Sequence, residues 1–134
     1  MILVDSSVWI DLLREVPSWQ AVLLEEALQS GEVLLGDLIL YEVLQGYPQE
    51  AQARKVEARL AQLEMIEVCG YELAFAAARY NRALRRKGIT IRSTVDTLIA
   101  ARCMMDGLTL LHNDRDFGPF EREFGLSVVK QVTH

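Results

Sequence analysis

The sequence predicts an α/β protein in which helices cover both faces of a mostly parallel sheet. Short, continuous apolar runs alternate with longer segments of helical apolar spacing, and this alternation is typical of a buried parallel sheet. The chain has 134 residues, of which 51% are hydrophobic and 25% are charged. A chain of that size buries roughly two-thirds of its unfolded surface. We therefore expect a single domain over residues 1–134, without internal repeats or linkers.

The first half of the chain begins with the apolar run Ile-Leu-Val at 2–4, which predicts a short buried strand. Ser6 or Ser7 then supplies the hydroxyl cap of a helix over 8–14, which ends before Pro17. Helical spacing, capping residues and terminal glycines predict the next elements: a helix from Ser18 to Gly31, a strand over 33–35, a helix capped by Asp37 that runs through Gln45, and a helix over 50–63.

The second half continues the alternation of strand and helix. The same signals predict a strand over 65–68, a helix over 72–87 ended by Gly88, a helix capped by Thr94 that runs to Met105, a strand over 108–111, a short helix over 119–124 and a last strand over 126–129. We expect Trp9, Phe75 and Phe117 to pack in the core. We expect the last few residues, including His134, to fray.

Composition argues against several classes of protein. No apolar run approaches the roughly 18 residues of a membrane span, and no basic segment precedes the first apolar run, as it would in a signal peptide. No GxGxxG motif follows the first strand, which disfavours a dinucleotide-binding enzyme. Cys69 and Cys103 lie far apart without a CxxC motif or a neighbouring histidine, so we interpret them as buried, reduced thiols of a cytoplasmic protein.

The charges are unevenly distributed, although the net charge of −5 would by itself argue against a nucleic-acid partner. No acidic residue occurs over 73–95, and the same stretch holds six of the 14 basic residues. Arg79, Arg82 and Arg86 share roughly one face of a predicted helix, and Arg92 comes shortly before the next helix. We expect these four side chains to contact nucleic-acid phosphates. A solvated helix surface is the alternative explanation.

Acidic residues follow two of the predicted strands. Asp5 comes directly after the first strand, and Asp114 and Asp116 come after the fourth. The functional crevice of a parallel α/β sheet lies beyond the carboxyl ends of its strands. If the two strands are neighbours, these carboxylates face one another across that crevice. A turn or a helix cap would also explain each aspartate taken singly.

Two further acids occur where the surrounding sequence is apolar. Glu42 lies in a segment that is otherwise apolar on every side, and Asp96 lies in the first turn of an apolar helix. An exposed helix face would explain Glu42, and the helix dipole would explain Asp96. Taken together, clustered carboxylates repel by roughly 4 kcal/mol per close pair. Such a cluster requires bound cations, and oxygen ligands without histidine or thiolate favour Mg²⁺ or Mn²⁺.

The order and spacing of these acids resemble a known family. The relevant segments are Val-Asp-Ser-Ser-Val-Trp-Ile-Asp at 4–11, the helix that carries Glu42, Ile-Arg-Ser-Thr-Val-Asp-Thr-Leu-Ile-Ala-Ala at 91–101, and Leu-Leu-His-Asn-Asp-Arg-Asp-Phe at 110–117. Together they resemble PIN-domain proteins, and length and motif order are similar to the VapC toxins of bacterial toxin–antitoxin pairs. The resemblance covers essentially the whole chain.

The resemblance implies a three-layer α/β/α sandwich and a metal-dependent endoribonuclease that cleaves cellular RNA such as tRNA or rRNA. It implies one or two Mg²⁺ or Mn²⁺ ions, a VapB-like antitoxin and a homodimer. The family's acidic positions match Asp5, Glu42, Asp96 and Asp114, with Asp116 as a fifth metal ligand. Supporting positions match at two places: Ser6 is the small hydroxyl residue after the first acid, and His112 stands where the family often has serine or threonine.

Other functions remain open on the sequence alone. A housekeeping RNA-processing nuclease would carry the same acids, and the neighbouring gene would distinguish it from a toxin. A receiver domain would leave Glu42 and Asp96 unexplained, and a non-catalytic RNA- or partner-binding module would leave the full acid set without a purpose. For the toxin, we expect the antitoxin to bind near Tyr41 and Tyr47, together with the helices at 18–30 and 50–63.

Overall fold

The computed structural model describes residues 1–132, so the expected fraying of His134 lies outside the described residues. Its centre is a parallel sheet of four strands in the order β3-β2-β1-β4. The strands are β1 (Ile2–Val4), β2 (Val33–Gly36), β3 (Glu64–Ile66) and β4 (Thr109–Leu111). The α/β fold class that the sequence predicts is confirmed.

Helices connect the strands and flank the sheet. Over residues 1–132 they are α1 (Ser6–Leu13), α2 (Trp19–Ser30), α3 (Asp37–Leu44), α4 (Glu50–Leu60), α5 (Tyr71–Arg86), α6 (Thr94–Asp106) and α7 (Gly118–Phe124), with a 3₁₀ turn at Arg115–Phe117. Leu3 and Val4 are adjacent in β1 and point to opposite faces of the sheet, yet both are fully buried. Both faces of the sheet are therefore covered.

The strand order brings the two acid-bearing strands together. β1 pairs in parallel with β4, and Val4 lies opposite Leu111 in the register. The segments that follow β1 and β4 consequently leave the sheet at the same edge. The residues that follow, Asp5 after β1 and the loop after β4, meet there, as the sequence analysis required of neighbouring strands.

Two helix caps differ from the prediction. Asp5 caps α1 in place of Ser6 or Ser7, because its carboxylate accepts a hydrogen bond from the Ser7 amide at 3.2 Å. Ser93 caps α6 in place of Thr94, because its hydroxyl accepts from the Asp96 amide at 3.2 Å. A cap must lie two or three residues before the amide that it accepts from, and these two residues meet that condition.

Three further boundaries also differ. α3 begins at Asp37 itself, with Gly36 at the N-cap, so Asp37 is not the N-cap residue. α4 ends at Leu60 and not at 63, which leaves room for β3 to start at Glu64. In place of the predicted last strand, the structure has an isolated parallel bridge between Leu110 of β4 and Val128.

Two side chains that were expected in the core are exposed. Phe75 is 65% exposed, because the buried face of α5 passes through Leu73, Ala76 and Ala77 and leaves Phe75 on the opposite side. Cys69 lies exposed just before that helix, whereas Cys103 is buried, and burial raises the pKa of its thiol to about 12. Every helix within residues 1–132 is too short or too polar to span a bilayer.

Candidate metal centre

Asp5 is positioned by the pairing of the two central strands. Its amide donates to the Leu111 carbonyl at 2.9 Å, so the residue continues the β1–β4 ladder by one step beyond the end of β1. Its side chain is 3% exposed. Oδ2 accepts from the Ser7 hydroxyl at 2.6 Å and from the Ser7 amide, whereas the buried Oδ1 has no hydrogen-bond partner within residues 1–132.

Burial dominates the electrostatics of Asp5. It raises the pKa of the carboxyl, the hydrogen bonds from Ser7 lower it, and the charge of Asp114 raises it again, with a net increase. A carboxylate with one free buried oxygen is stabilised by a cation that binds that oxygen.

Asp96 is placed in the first turn of α6 by the Ser93 cap, and its side chain is only 7% exposed. Its pKa is raised to about 7, first by burial. Four neighbouring carboxylates contribute the rest of the increase, in the order Asp5, Asp114, Glu42 and Asp116. The charges of the four other acids that the sequence analysis selected therefore all act on Asp96. Among the described residues, only Asp96, Asp114 and Asp116 offer oxygens within 4.8 Å of one another, and Asp5 and Glu42 lie outside that group.

Glu42 projects from α3 towards this cluster. Its Oε1 is buried and has no hydrogen-bond partner in the described part of the chain. Burial raises the pKa of Glu42, and the charge of Asp5 raises it further, while the Ser6 side chain lowers it. Glu42 is half-buried and one of its oxygens is shielded from solvent, so a fully exposed helix face does not explain this glutamate.

The loop after β4 supplies two carboxylates at the outer side of the cluster. Oxygens of Asp96, Asp114 and Asp116 lie within 4.8 Å of one another. Asp114 Oδ1 accepts from the Asp116 amide at 2.9 Å, which holds the loop in the 3₁₀ turn. Asp114 is half-buried and Asp116 is exposed, so the cluster is accessible from the solvent on this side.

These residues fit a hard divalent cation. Two buried carboxylate oxygens, Asp5 Oδ1 and Glu42 Oε1, lack hydrogen-bond partners within the described part of the chain. Among residues 1–132, the four ion pairs that form involve none of the five clustered acids. An all-oxygen donor set with uncompensated negative charge is the environment that Mg²⁺ and Mn²⁺ prefer.

His112 supports the loop, and its Nδ1 is occupied by a backbone hydrogen bond. That nitrogen accepts a hydrogen bond from the Asp114 amide at 3.1 Å, and the ring packs against Phe117 with centroids 4.9 Å apart. Burial lowers the pKa of His112, although nearby Asp5 and Asp114 raise it in part. Because Nδ1 of His112 accepts this hydrogen bond, the proton of the neutral ring is assigned to Nε2.

A family comparison agrees with this geometry. The model of the PIN domain matches residues 2–122. The chain belongs to the PIN domain family. It is also 32% identical over 124 residues to Ribonuclease VapC11 of Mycobacterium tuberculosis, an alignment that covers 91% of this chain and 92% of the relative. The resemblance drawn from the sequence is thereby confirmed.

Solved structures share the fold of this PIN domain. VapBC2 from Rickettsia felis, bound to a DNA fragment from its promoter, superposes with a TM-score of 0.75 at 21% identity, covering 96% of this chain and 98% of that chain. FitAcB from Neisseria gonorrhoeae gives a TM-score of 0.74 at 22% identity and covers 97% of each chain. At these identities the likeness concerns the fold alone.

The sequence analysis missed the hydroxyl that directly contacts Asp5 in this PIN domain. Ser7 Oγ donates to Asp5 Oδ2 at 2.6 Å and accepts from the Asn113 amide at 3.0 Å, while Ser6 lies near Glu42. The Asn113 side chain in turn donates to Asp11 Oδ2 at 2.9 Å. The Asx-turn spacing of Asp5 and Ser7 was a usable signal, whereas the contact with Asn113 depends on the tertiary structure.

The basic residues divide into two groups. Arg79, Arg82 and Arg86 are exposed along α5. Arg92 is exposed in the loop before α6, where it lines a groove with Arg115, Asp116 and Arg122. The sequence analysis did not select Arg115 or Arg122, because they are separated from Arg92 along the chain and only the fold brings them together.

Proposed function

We propose that this PIN domain is the endoribonuclease toxin of a toxin–antitoxin pair, and that it hydrolyses phosphodiester bonds of cellular RNA such as tRNA or rRNA. The observation that carries the proposal is the convergence of five carboxylates on one sheet edge, with two buried oxygens left without partners. The relatives named VapC ribonucleases support the assignment of a nuclease, and the solved VapBC assemblies support an antitoxin partner.

The carboxylates of Asp5, Asp96, Asp114 and Asp116, with Glu42, would hold Mg²⁺ or Mn²⁺. When bound, the ion polarises a phosphate and lowers the pKa of water. Ser7 donates both of its hydrogen bonds to Asp5 Oδ2, which fixes the carboxylate and leaves Oδ1 for the ion. Glu42 has a raised pKa and a buried oxygen without a partner in the described residues; both properties suit a group that accepts a proton from water, and Asp5 shares them.

The substrate strand would be held by the arginines at positions 79, 82, 86 and 92. They are exposed, and phosphate contacts from arginine hold a strand without reading its sequence. With water as the nucleophile, the products carry a 5′-phosphate and a 3′-hydroxyl. A 2′,3′-cyclic phosphate on the product would contradict this mechanism.

The proposed antitoxin site is a groove that leads to Glu42. Ile10 of α1, Glu42 of α3, Gln52 of α4 and Tyr47 from the segment between α3 and α4 are among the residues that line it. Tyr41 lies on the same helix as Glu42 and is 67% exposed. A VapB-like segment bound along this groove and against α2 and α4 would cover the approach to the acids. We also propose that the toxin is a homodimer, which sedimentation of the purified chain tests.

The test is induced expression of the wild-type chain beside its Asp5→Asn form. Growth arrest with RNA cleavage is expected from the wild type only, because the variant lacks one of the two buried oxygens offered to the cation. Equal arrest by both forms would contradict the catalytic role of the acids. Absence of cleavage from the wild type would contradict the nuclease proposal itself.

Co-expression separates the toxin from a housekeeping nuclease. A toxin is expected to have a small gene for a DNA-binding antitoxin immediately upstream, and expression of that gene should relieve the growth arrest. A nuclease whose expression is harmless, and which has no such neighbour, would favour the housekeeping alternative.

A further inference from the structure

We propose that a groove beside the acidic cluster binds a backbone phosphate adjacent to the one that is cleaved. This inference rests on the proposed function and names a substrate contact that the sequence analysis did not select. The groove, called here the arginine groove, is formed by Arg92 before α6, Arg115 and Asp116 of the 3₁₀ turn, and Pro119 and Arg122 of α7.

The arginine groove is continuous with the acidic cluster. Asp116 belongs to both: one of its oxygens lies within 4.8 Å of oxygens of Asp96 and Asp114, and the same residue lines the groove. A strand that leaves the cluster on the Asp116 side passes the edge of the groove. The next phosphate along the strand is the group that the groove would meet.

The charges of the groove are available to an anion. Arg92, Arg115 and Arg122 are exposed, and none of them forms an ion pair among residues 1–132. The acids beside Arg122 on α7 pair with other residues, Glu121 with Lys130 at 3.2 Å and Glu123 with Lys87 at 2.6 Å. Among residues 1–132, Asp116 is the one acid that lines the groove, and it belongs to the cluster as well.

Gly118 makes space for Arg122 in this arrangement. A Cβ at position 118 would lie 2.7 Å from Arg122 Nη1, which is closer than the guanidinium can approach a methyl group. The absence of a side chain therefore allows the Arg122 guanidinium to lie across the start of α7. Arginine suits this role because its planar fork donates two parallel hydrogen bonds to a phosphate.

The first experiment measures binding of a short single-stranded RNA without divalent cations, so that cleavage is not needed. The slope of log K against log salt is compared for the wild type and the Arg115→Ala/Arg122→Ala variant. Loss of one phosphate contact should reduce the slope by about 0.7, and affinity should fall by about tenfold. Arg54→Ala, which removes an exposed arginine on α4, is the matched control and should change neither quantity.

The second experiment tests the position of the contact with substrates in which one phosphate at a time is replaced by a neutral methylphosphonate. Replacement next to the scissile bond should raise KM for the wild type and have no effect on the double variant. Gly118→Ala, which keeps every charge, should raise KM because it displaces Arg122. Circular dichroism of each variant verifies that the fold is retained.

The outcomes separate this inference from the proposed function. RNA binding by the wild type with an unchanged slope in the double variant would overturn the arginine groove and leave the nuclease intact. A reduced slope without RNA cleavage by the wild type would support the groove and overturn the nuclease. If the wild type does not bind RNA at all, the groove is overturned.

Discussion

Asp5 and Asp37 occupy equivalent places in the sheet and have different surroundings. Each directly follows an inner strand of the parallel sheet, Asp5 after β1 and Asp37 after β2. Asp37 Oδ1 accepts from the Leu38 amide at 2.9 Å and from the Val68 amide at 2.6 Å, so backbone donors occupy it. Asp5 keeps one buried oxygen without a partner and lies among other carboxylates.

The comparison shows that the end of a parallel strand does not by itself make a carboxylate functional. Asp37 ties the start of α3 to the segment after β3, and Gly36 permits this close approach because a Cβ there would collide with the Val68 side chain. Asp5 caps α1 with one oxygen only. The oxygen that remains free is the one available to a cation.

The largest expected difference between the two aspartates is in RNA cleavage. Asp5→Asn should lower the rate at least about a hundredfold, since loss of residues that merely support metal ligands already costs 10–100-fold. Asp37→Asn should cleave at a rate close to the wild type, because the amide oxygen still accepts from the backbone. Initial rates with purified proteins at saturating Mg²⁺ measure both.

Similar losses in the two variants would break the comparison, since the distinction between free and occupied oxygens would then have no catalytic consequence. Thermal denaturation of both proteins is the control, because a variant that unfolds at the assay temperature would mimic a catalytic loss.

The next effect is a pH-dependent stabilisation by the cation. The pKa of Asp96 rises from 3.8 to about 7 in the folded state, so between these values the folded protein holds a proton that the unfolded chain has released. Stability without metal is therefore greatest below the lower value and is lost as the pH rises towards the upper one. Asp5 and Glu42 shift in the same direction.

Urea denaturation of the metal-free protein should show a loss of about 1–2 kcal/mol from Asp96 between about pH 5.5 and pH 8. Mg²⁺ should restore stability at the higher pH and have little effect at the lower one, because protons compete for the same carboxylates. Asp96→Asn should reduce both the pH dependence and the response to Mg²⁺. A Mg²⁺ response that is equal at the two pH values would argue against cation binding by these acids.

Asp37 is expected to matter for stability where Asp5 does not. Asp37→Ala leaves the Val68 amide without its partner and should lower the free energy of unfolding by about 1–3 kcal/mol. Asp5→Asn removes a buried negative charge among like charges and should leave the metal-free protein as stable as the wild type or more so. Equal destabilisation by the two variants in urea denaturation would contradict this division of roles.

Much of the fold and of the acid set could be predicted because the signals are local. The apolar runs at 2–4 and 108–111 mark β1 and β4, and parallel topology then directs the following acids to one edge. Glu42 stood out because its neighbours are apolar. The caps were off by one residue, since the amide that a hydroxyl or carboxylate meets depends on the backbone geometry of the turn.

The parts that could not be predicted depend on distant contacts. Arg92, Arg115 and Arg122 line one groove only after α6 and α7 are placed against the sheet edge. The exposure of Phe75 follows from which face of α5 packs on α6, and an all-apolar stretch does not reveal that face. Asn113 meets Ser7 because β4 lies beside β1.

The last expected effect concerns how Asp5 is held. Ser7 Oγ accepts from the Asn113 amide, so its proton is directed to Asp5 Oδ2 at 2.6 Å, and this bond fixes the orientation of the Asp5 carboxylate. Ser7→Ala should lower the cleavage rate by roughly 10–100-fold, the range for a residue that orients a metal ligand, and raise the Mg²⁺ concentration needed for half-maximal rate. Ser7→Thr keeps the hydroxyl and should restore most of the activity. A rate loss in Ser7→Ala at unchanged Mg²⁺ dependence would mean that Ser7 acts on something other than the ligand geometry of Asp5.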